Sequence, residues 1–278
     1  MAKPIRLLIY RRLAAGIGLA VFATALIFLH GMLRVALQPA GLYTGVVLYA
    51  LIIALTLFNA RKKFPFLPLW RASTWMQFHI YTGWLTVLVF LLHTNWSWPH
   101  GTMEQILEVL FILVALSGVL GLLISRWLPS RMTRSGEPIV YERIPALRVQ
   151  LREHIESRVQ QGEEATGSSS LSDFYVGHLR AYLDRKPGWW LALVGVDPVL
   201  LRVHREMQAL QRYLNPDEQV IARELEECIE AKRDLDYQYA GNRLLKLWLF
   251  VHIPLTYSLI ILGLVHGCLA MRYTLGWF

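Results

Sequence analysis

Two apolar stretches of this chain begin and end with histidine: HIYTGWLTVLVFLLH at 79–93 and HIPLTYSLIILGLVH at 252–266. A helix turns about 100° and rises about 1.5 Å per residue, so fourteen residues return the chain to within about 40° of its starting face, about 21 Å further along. Each stretch therefore presents two imidazoles on one face, one toward each end. Two neutral imidazoles on opposite sides of a flat macrocycle are the axial ligand set of a six-coordinate haem iron. A zinc or copper site gathers its ligands within one coordination sphere, whereas pairs this far apart suit two separate planar cofactors. A lone histidine in a membrane helix is as readily an interhelical hydrogen-bonding partner, but ionisable residues in a bilayer are functional by default and here the spacing repeats. Gly83 lies one turn after His79, and Gly118, Gly121, Gly263 and Gly267 supply further small positions, which membrane helices also use for packing alone.

The elements that must hold these residues are membrane helices. The 278 residues are 55% hydrophobic and only 17% charged, against about a quarter charged in a soluble domain. Five runs, 13–37, 42–60, 75–95, 106–127 and 245–270, approach or exceed the length needed to span hydrocarbon. The first begins too late and runs too long for a cleavable signal and is expected to be retained. Lys3, Arg6, Arg11 and Arg12 precede it; Arg61, Lys62, Lys63 and Arg71 separate runs two and three; Arg126, Arg131 and Arg134 follow run four; Arg243 and Lys246 open run five. The connection between runs three and four has neither Lys nor Arg. Alternate connections are thus basic, which predicts a cytoplasmic amino terminus and an outer carboxyl tail. The net charge of +8 follows this pattern and gives no reason to expect nucleic acid. Runs three and five then cross in the same direction. His79 and His252 are expected at the inner level on one haem iron, and His93 and His266 at the outer level on the other.

Residues 128–243 differ in character, with more charge, a GEEATGSSS linker at 162–170 and several helical patterns. Pro198 suits a first helical turn, and Asn215 a cap with acidic residues after it. The expectation is a cytoplasmic helical insert between spans four and five. It has no nucleotide loop, metal motif or catalytic signature, so docking or scaffolding is its expected role. GWWLALVG at 188–195 is too short to span and is expected to rest on the membrane surface or pack in the insert. Cys228 and Cys268 cannot supply a four-thiolate cluster, the C-x-x-C-H signature of covalent haem is absent, and opposite sides of the membrane argue against a disulfide between them.

Parallel helices carrying H-x13-H, separated by one span, resemble the four-helix dihaem core of the cytochrome b family, which includes the membrane cytochrome of quinol–cytochrome c oxidoreductases and cytochrome b subunits of other membrane oxidoreductases. The resemblance covers spans two to five. It implies an all-α integral membrane bundle in which His79, His93, His252 and His266 bind two haem b. The chain departs from the family in its insert, its additional first span and the absence of a P-E-W-Y quinol motif. His30 and His100 are candidates for a third haem or for a quinol head group and its proton, as Glu104 and Glu108 are for protons. Arg34, Arg71, Arg126 and Arg243 are placed to pair with propionates, and Trp75, Trp96, Trp98, Trp248 and Trp277 suit an interfacial belt. The expected function is transmembrane electron transfer as one subunit of a larger complex. The expected partners are membrane lipid, the quinone pool, and a multihaem c-type cytochrome or iron–sulfur subunit. The rivals are a self-contained transmembrane reductase and a transporter or channel with a histidine proton relay.

Overall fold

The structure is a computed structural model that describes residues 3–36, 39–63, 72–128, 141–186, 188–195 and 197–275. Arg71, Arg131, Arg134 and Trp277 lie outside the described residues, as do the side chains of Lys3, Arg6, Arg11, Arg12, Arg61, Lys62 and Lys63. The described residues are mostly helical and include no strand. Four long helices come first: α1 (Lys3–Val35), α2 (Ala40–Lys63), α3 (Ala72–His93) and α4 (Thr102–Trp127). After a 3-10 turn at Tyr141–Arg143 come α5 (Ile144–Thr166) and α6 (170–184), the latter with a π-helical turn at Tyr175–Leu179. The last three are α7 (Trp189–Val194), α8 (Pro198–Leu210) and α9 (Pro216–Leu275).

Five of these, α1 to α4 and α9, are long and apolar enough to cross a membrane. They expose large apolar side chains such as Ile17, Phe28, Leu116, Leu123, Ile261 and Leu264. A water-soluble monomer rarely leaves so much contiguous apolar surface uncovered, and these faces match what lipid would cover.

The chain divides into two compact units, Met1–Leu120 with Phe250–Phe278, and Gly121–Leu249. In the first, α3 packs its backbone closely on α2 and also on α1. Leu48, Ile52, Val89, Phe90, Phe111 and Leu259 form its core, with the Phe90 and Phe111 rings stacked 3.9 Å apart.

The second unit has a core of its own, in which Ile155, Phe174, Leu179, Val203, Met207 and Ile229 are buried together. The apolar stripes of the insert helices are therefore covered within the unit itself. The expected linker is largely helix: α5 continues through Gly162–Thr166, because Glu and Ala favour helix and Gly162 is buried beside Ile221. The helix ends at Gly167, whose φ of 66° is the left-handed C-cap that glycine adopts without steric cost. Asn215 does precede a helix, with its backbone N–H donating to Glu218 Oε2 at 2.9 Å, the reciprocal half of a capping box. That helix does not stop before the fifth apolar run: α9 carries both, with Pro254 inside it. The GWWLALVG segment packs in the unit, with Leu193 of α7 against Leu128 and Ala240, while Trp190 is exposed.

An ion network ties α5 to α9 and α6 to α8. Lys232, almost fully buried, donates to Asp236 at 2.5 Å and to the Arg185 carbonyl at 3.3 Å. Its ammonium lies 4.4 Å from the Tyr182 ring centre, and Arg148 pairs with Asp236 from α5. Burial holds the Lys232 amine below the ordinary lysine range while the Asp236 carboxylate opposes the shift. Arg185 also reaches Asp197, which caps α8 by accepting from Val199 N–H at 2.9 Å. Both cysteines are free thiols; burial, then Glu224 and Glu227, pushes Cys228 up.

Candidate haem-binding site

All four candidate imidazoles are half-buried, and three of them meet a neighbour through Nδ1. The Nδ1 of His79 is 3.2 Å from the Leu55 carbonyl of α2. The Nδ1 of His93 is 3.0 Å from the Gly41 carbonyl and 3.3 Å from the Thr44 hydroxyl, also on α2. The Nδ1 of His252 is 2.6 Å from the hydroxyl of Ser117, which itself donates to Val114 O at 2.8 Å. A carbonyl can only accept, and a serine hydroxyl already donating elsewhere can only accept as well. In all three rings the proton therefore belongs on Nδ1 and the lone pair on Nε2, an assignment that follows from the partners.

The structure brings the four histidines together two by two. The His93 and His266 rings have centroids 6.4 Å apart with planes at 84°. His79 is near enough to His252 to interact with it electrostatically. Backbones do not close this interval: among the described residues, α3 has no close approach to α9 like the one it makes to α2, so side chains span the space. The core residues Leu48, Ile52, Val89, Phe90, Phe111 and Leu259 belong to the same unit as the four imidazoles.

The glycines differ in what surrounds them. A Cβ at Gly83 or Gly267 would meet nothing within 4 Å, so both face open space; one at Gly118 would lie 3.8 Å from His252 Cε1, and one at Gly263 would lie 3.4 Å from the Tyr49 ring. Gly121 belongs to the second unit, against the Trp248 indole. Gly45, which has no histidine near it in sequence, matters most. A Cβ there would lie 2.9 Å from His93 Cε1, too close unless the ring moved.

The remaining candidates are dispersed. His30 on α1 is nine-tenths buried, and its Nδ1 has no hydrogen-bond partner among the described residues. His100 is exposed in the connection between α3 and α4. Arg34 is exposed, and Arg126 is exposed at the end of α4, in the unit without the imidazoles. Glu104 is exposed; the Oε2 of Glu108 is buried without a partner among the described residues.

The donor set fits a haem. It consists of two imidazole pairs with Nδ1–H anchored in three of four rings, the second-sphere bond that orients a metal-binding histidine and raises its basicity. Among the described residues no three His, Cys, Asp or Glu side chains gather into one site, which is the arrangement a tetrahedral metal would need. The residues missed in sequence were Gly41, Thr44, Gly45, Leu55 and Ser117. Gly41 and Gly45 form a small-x3-small pair, a packing signal that marks close approach without naming its partner. Backbone carbonyls carry no sequence signal. No protein-family model, curated protein or solved structure matches this chain.

Proposed function

We propose that this chain is a membrane cytochrome resembling the dihaem cytochrome b family. It crosses the bilayer five times, with the amino terminus cytoplasmic, and carries electrons between a haem held by His79 and His252 and a second held by His93 and His266. The observation that carries this reading is the separation of the His93 and His266 rings, beside a second pair, His79 and His252, close enough to interact electrostatically. A metal–imidazole bond is about 2 Å and the ring centre lies about 1 Å behind the nitrogen, so a bis-imidazole pair has centroids roughly 6 Å apart. The 6.4 Å between His93 and His266 agrees with that figure. Bound there, haem b supplies reversible one-electron chemistry at its iron.

The protein's part is to hold, orient and dry the site. Leu55, Gly41 and Ser117 fix the ring orientations, and an apolar core excludes water. The apolar core of the unit holds Leu, Ile, Val and Phe, and the buried hydroxyls of Thr82 and Thr86 lie on α3 between His79 and His93. With no substrate motif on the chain, its role is a subunit of an oxidoreductase, linked to the quinone pool and to a multihaem c-type cytochrome or iron–sulfur subunit.

Purified in mild detergent after haem-sufficient expression, the protein should show the reduced α band of low-spin b haem. Pyridine haemochrome should give two non-covalent haems per chain. A colourless preparation would overturn the proposal, and a third haem would bring His30 or His100 into the ligand set.

A further inference from the structure

We infer that a basic cluster of the second unit, where the 3-10 turn at Tyr141–Arg143 meets α9, binds the phosphate of an anionic membrane lipid through Arg243 and Lys186. This rests on the membrane placement proposed above and not on the haems. On α9, Tyr239, Arg243 and Lys246 are spaced by four and three residues and so share one face. The Tyr239 ring stacks on that of Tyr141, with centroids 5.0 Å apart and planes at 12°. The Lys246 ammonium lies 3.7 Å from the Tyr141 ring centre and the Arg148 guanidinium 4.9 Å from that of Tyr239, so each ring of the stack also holds a cation. Arg243 and Lys186 are near enough to Tyr239 to interact with it electrostatically.

The charges of this cluster do not balance. Arg148 is paired with Asp236, and Lys246 with Glu142 at 3.4 Å. Arg152, Arg158, Arg185 and Arg233 of the same unit each have a carboxylate partner as well. No carboxylate among the described residues pairs with Arg243 or Lys186, and both are exposed. Their level names the occupant. Leu244 and Leu245, which lie between Arg243 and Lys246, pack with Trp189 of α7 around Leu128, the residue after α4. The cluster is thus level with the ends of two apolar helices, and the exposed Trp190, its ring stacked on Trp189, is a residue type that favours this interfacial depth. The phosphodiesters of the cytoplasmic leaflet lie there, and anionic lipids are concentrated in that leaflet. A guanidinium offers a fork of N–H donors that matches phosphate oxygens, and an ammonium adds a point charge. A zwitterionic head group brings its own ammonium and leaves both cations uncompensated, whereas an anionic one neutralises them. An acidic protein surface would have to displace head groups to reach this level.

The full-length protein in mild detergent is titrated with phosphatidylglycerol or with phosphatidylcholine of the same acyl chains, and retained lipid is counted by native mass spectrometry. The first lipid retained should show at least a tenfold preference for phosphatidylglycerol. Arg243→Gln combined with Lys186→Gln should remove that preference, and Arg243→Lys, which keeps the charge and loses the fork, should keep part of it. Arg202→Gln combined with Arg205→Gln removes the same charge from exposed positions on α8 and should leave the preference unchanged. Equal retention of the two lipids, or equal loss of preference in the two double variants, overturns the assignment. Inorganic phosphate that displaces phosphatidylglycerol at equal concentration assigns the site to a free anion and overturns the lipid. A protein that stays in solution once detergent is removed overturns the membrane placement, and this occupant with it.

Discussion

An imidazole ring has one nitrogen to anchor and one to offer, and the value of His93 depends on how tightly the first is fixed. Gly41 accepts from its Nδ1, and the missing side chain of Gly45 leaves room for Cε1. Gly45→Val should therefore displace the ring and lower the amplitude of the 93/266 haem in a redox titration, while the 79/252 haem keeps its potential. His93→Ala and His266→Ala should remove that same component, and His79→Ala and His252→Ala the other. Identical spectra for His79→Ala and His266→Ala would contradict the pairing. Ser117→Ala removes the anchor of His252, and loss of such a second-sphere partner typically costs 10–100-fold in metal affinity; dilution of the detergent-solubilised protein should release the 79/252 haem first. The ligand candidates were visible in sequence because an intramembrane histidine is rare and its period can be counted. Their anchors were not, since two of the three are peptide carbonyls and any residue supplies one.

At the scale of elements, the end of α3 is set by a Schellman motif. Trp96 N–H reaches Leu91 O at 3.2 Å, and Asn95 N–H reaches Leu92 O at 3.4 Å. Asn95 and Trp96 have φ of 51° and 57°. His93 is the last helical residue before this turn, so the turn fixes the frame from which the imidazole projects. Asn tolerates the left-handed region and a β-branched residue does not. Asn95→Val should cost about 1–2 kcal/mol and make the 93/266 haem the first to dissociate on heating; Asn95→Gly should leave the melting curve nearly unchanged. A second element carries a pH dependence. Tyr175 of α6 donates to Glu156 at 2.5 Å, and burial, then that bond, push the phenol up to about 12. A phenol raised in the folded state stabilises the fold fully below its ordinary value near 10 and loses that contribution as pH climbs to about 12. Resistance of the full-length protein to urea, followed by far-UV circular dichroism, should fall across that window, and Tyr175→Phe should flatten the fall. Glu156 acts at the other limb: the Tyr175 bond, then Arg152, hold its carboxyl below the ordinary range, so its contribution is lost only as the solution turns acid. Helix existence followed from period and composition, but the extent of α5 did not. Gly162 resembled a breaker, and only its burial beside Ile221 explains why the helix continues.

Over the whole molecule, both imidazole pairs fall in one unit and the ion network of Lys232 and Asp236 in the other. Replacing residues 144–236 by a short flexible linker should leave two b haems with unchanged reduced spectra, because none of the four imidazoles or their anchors is removed. Loss of a single haem in that deletion would show that the insert shelters it. The composition shift at 128 made a separate insert evident. Whether its apolar stripes needed a partner was not evident, since that depends on how α5, α6, α8 and α9 pack, and their core closes internally.

Each imidazole pair takes one member from α3 and one from α9, and this imposes an order on biosynthesis. Translation at about 5–20 residues per second puts roughly 10–30 seconds between the appearance of His93 and that of His252. Within that interval α2 and α3 are already made, and the carbonyls of Leu55 and Gly41 that anchor His79 and His93 both belong to α2. The α2–α3 hairpin thus aims half of the ligand set before the other half exists. On the proposed pairing, haem delivered early would meet single histidines that hold it weakly, and it would be retained only when the last span arrives to close both pairs.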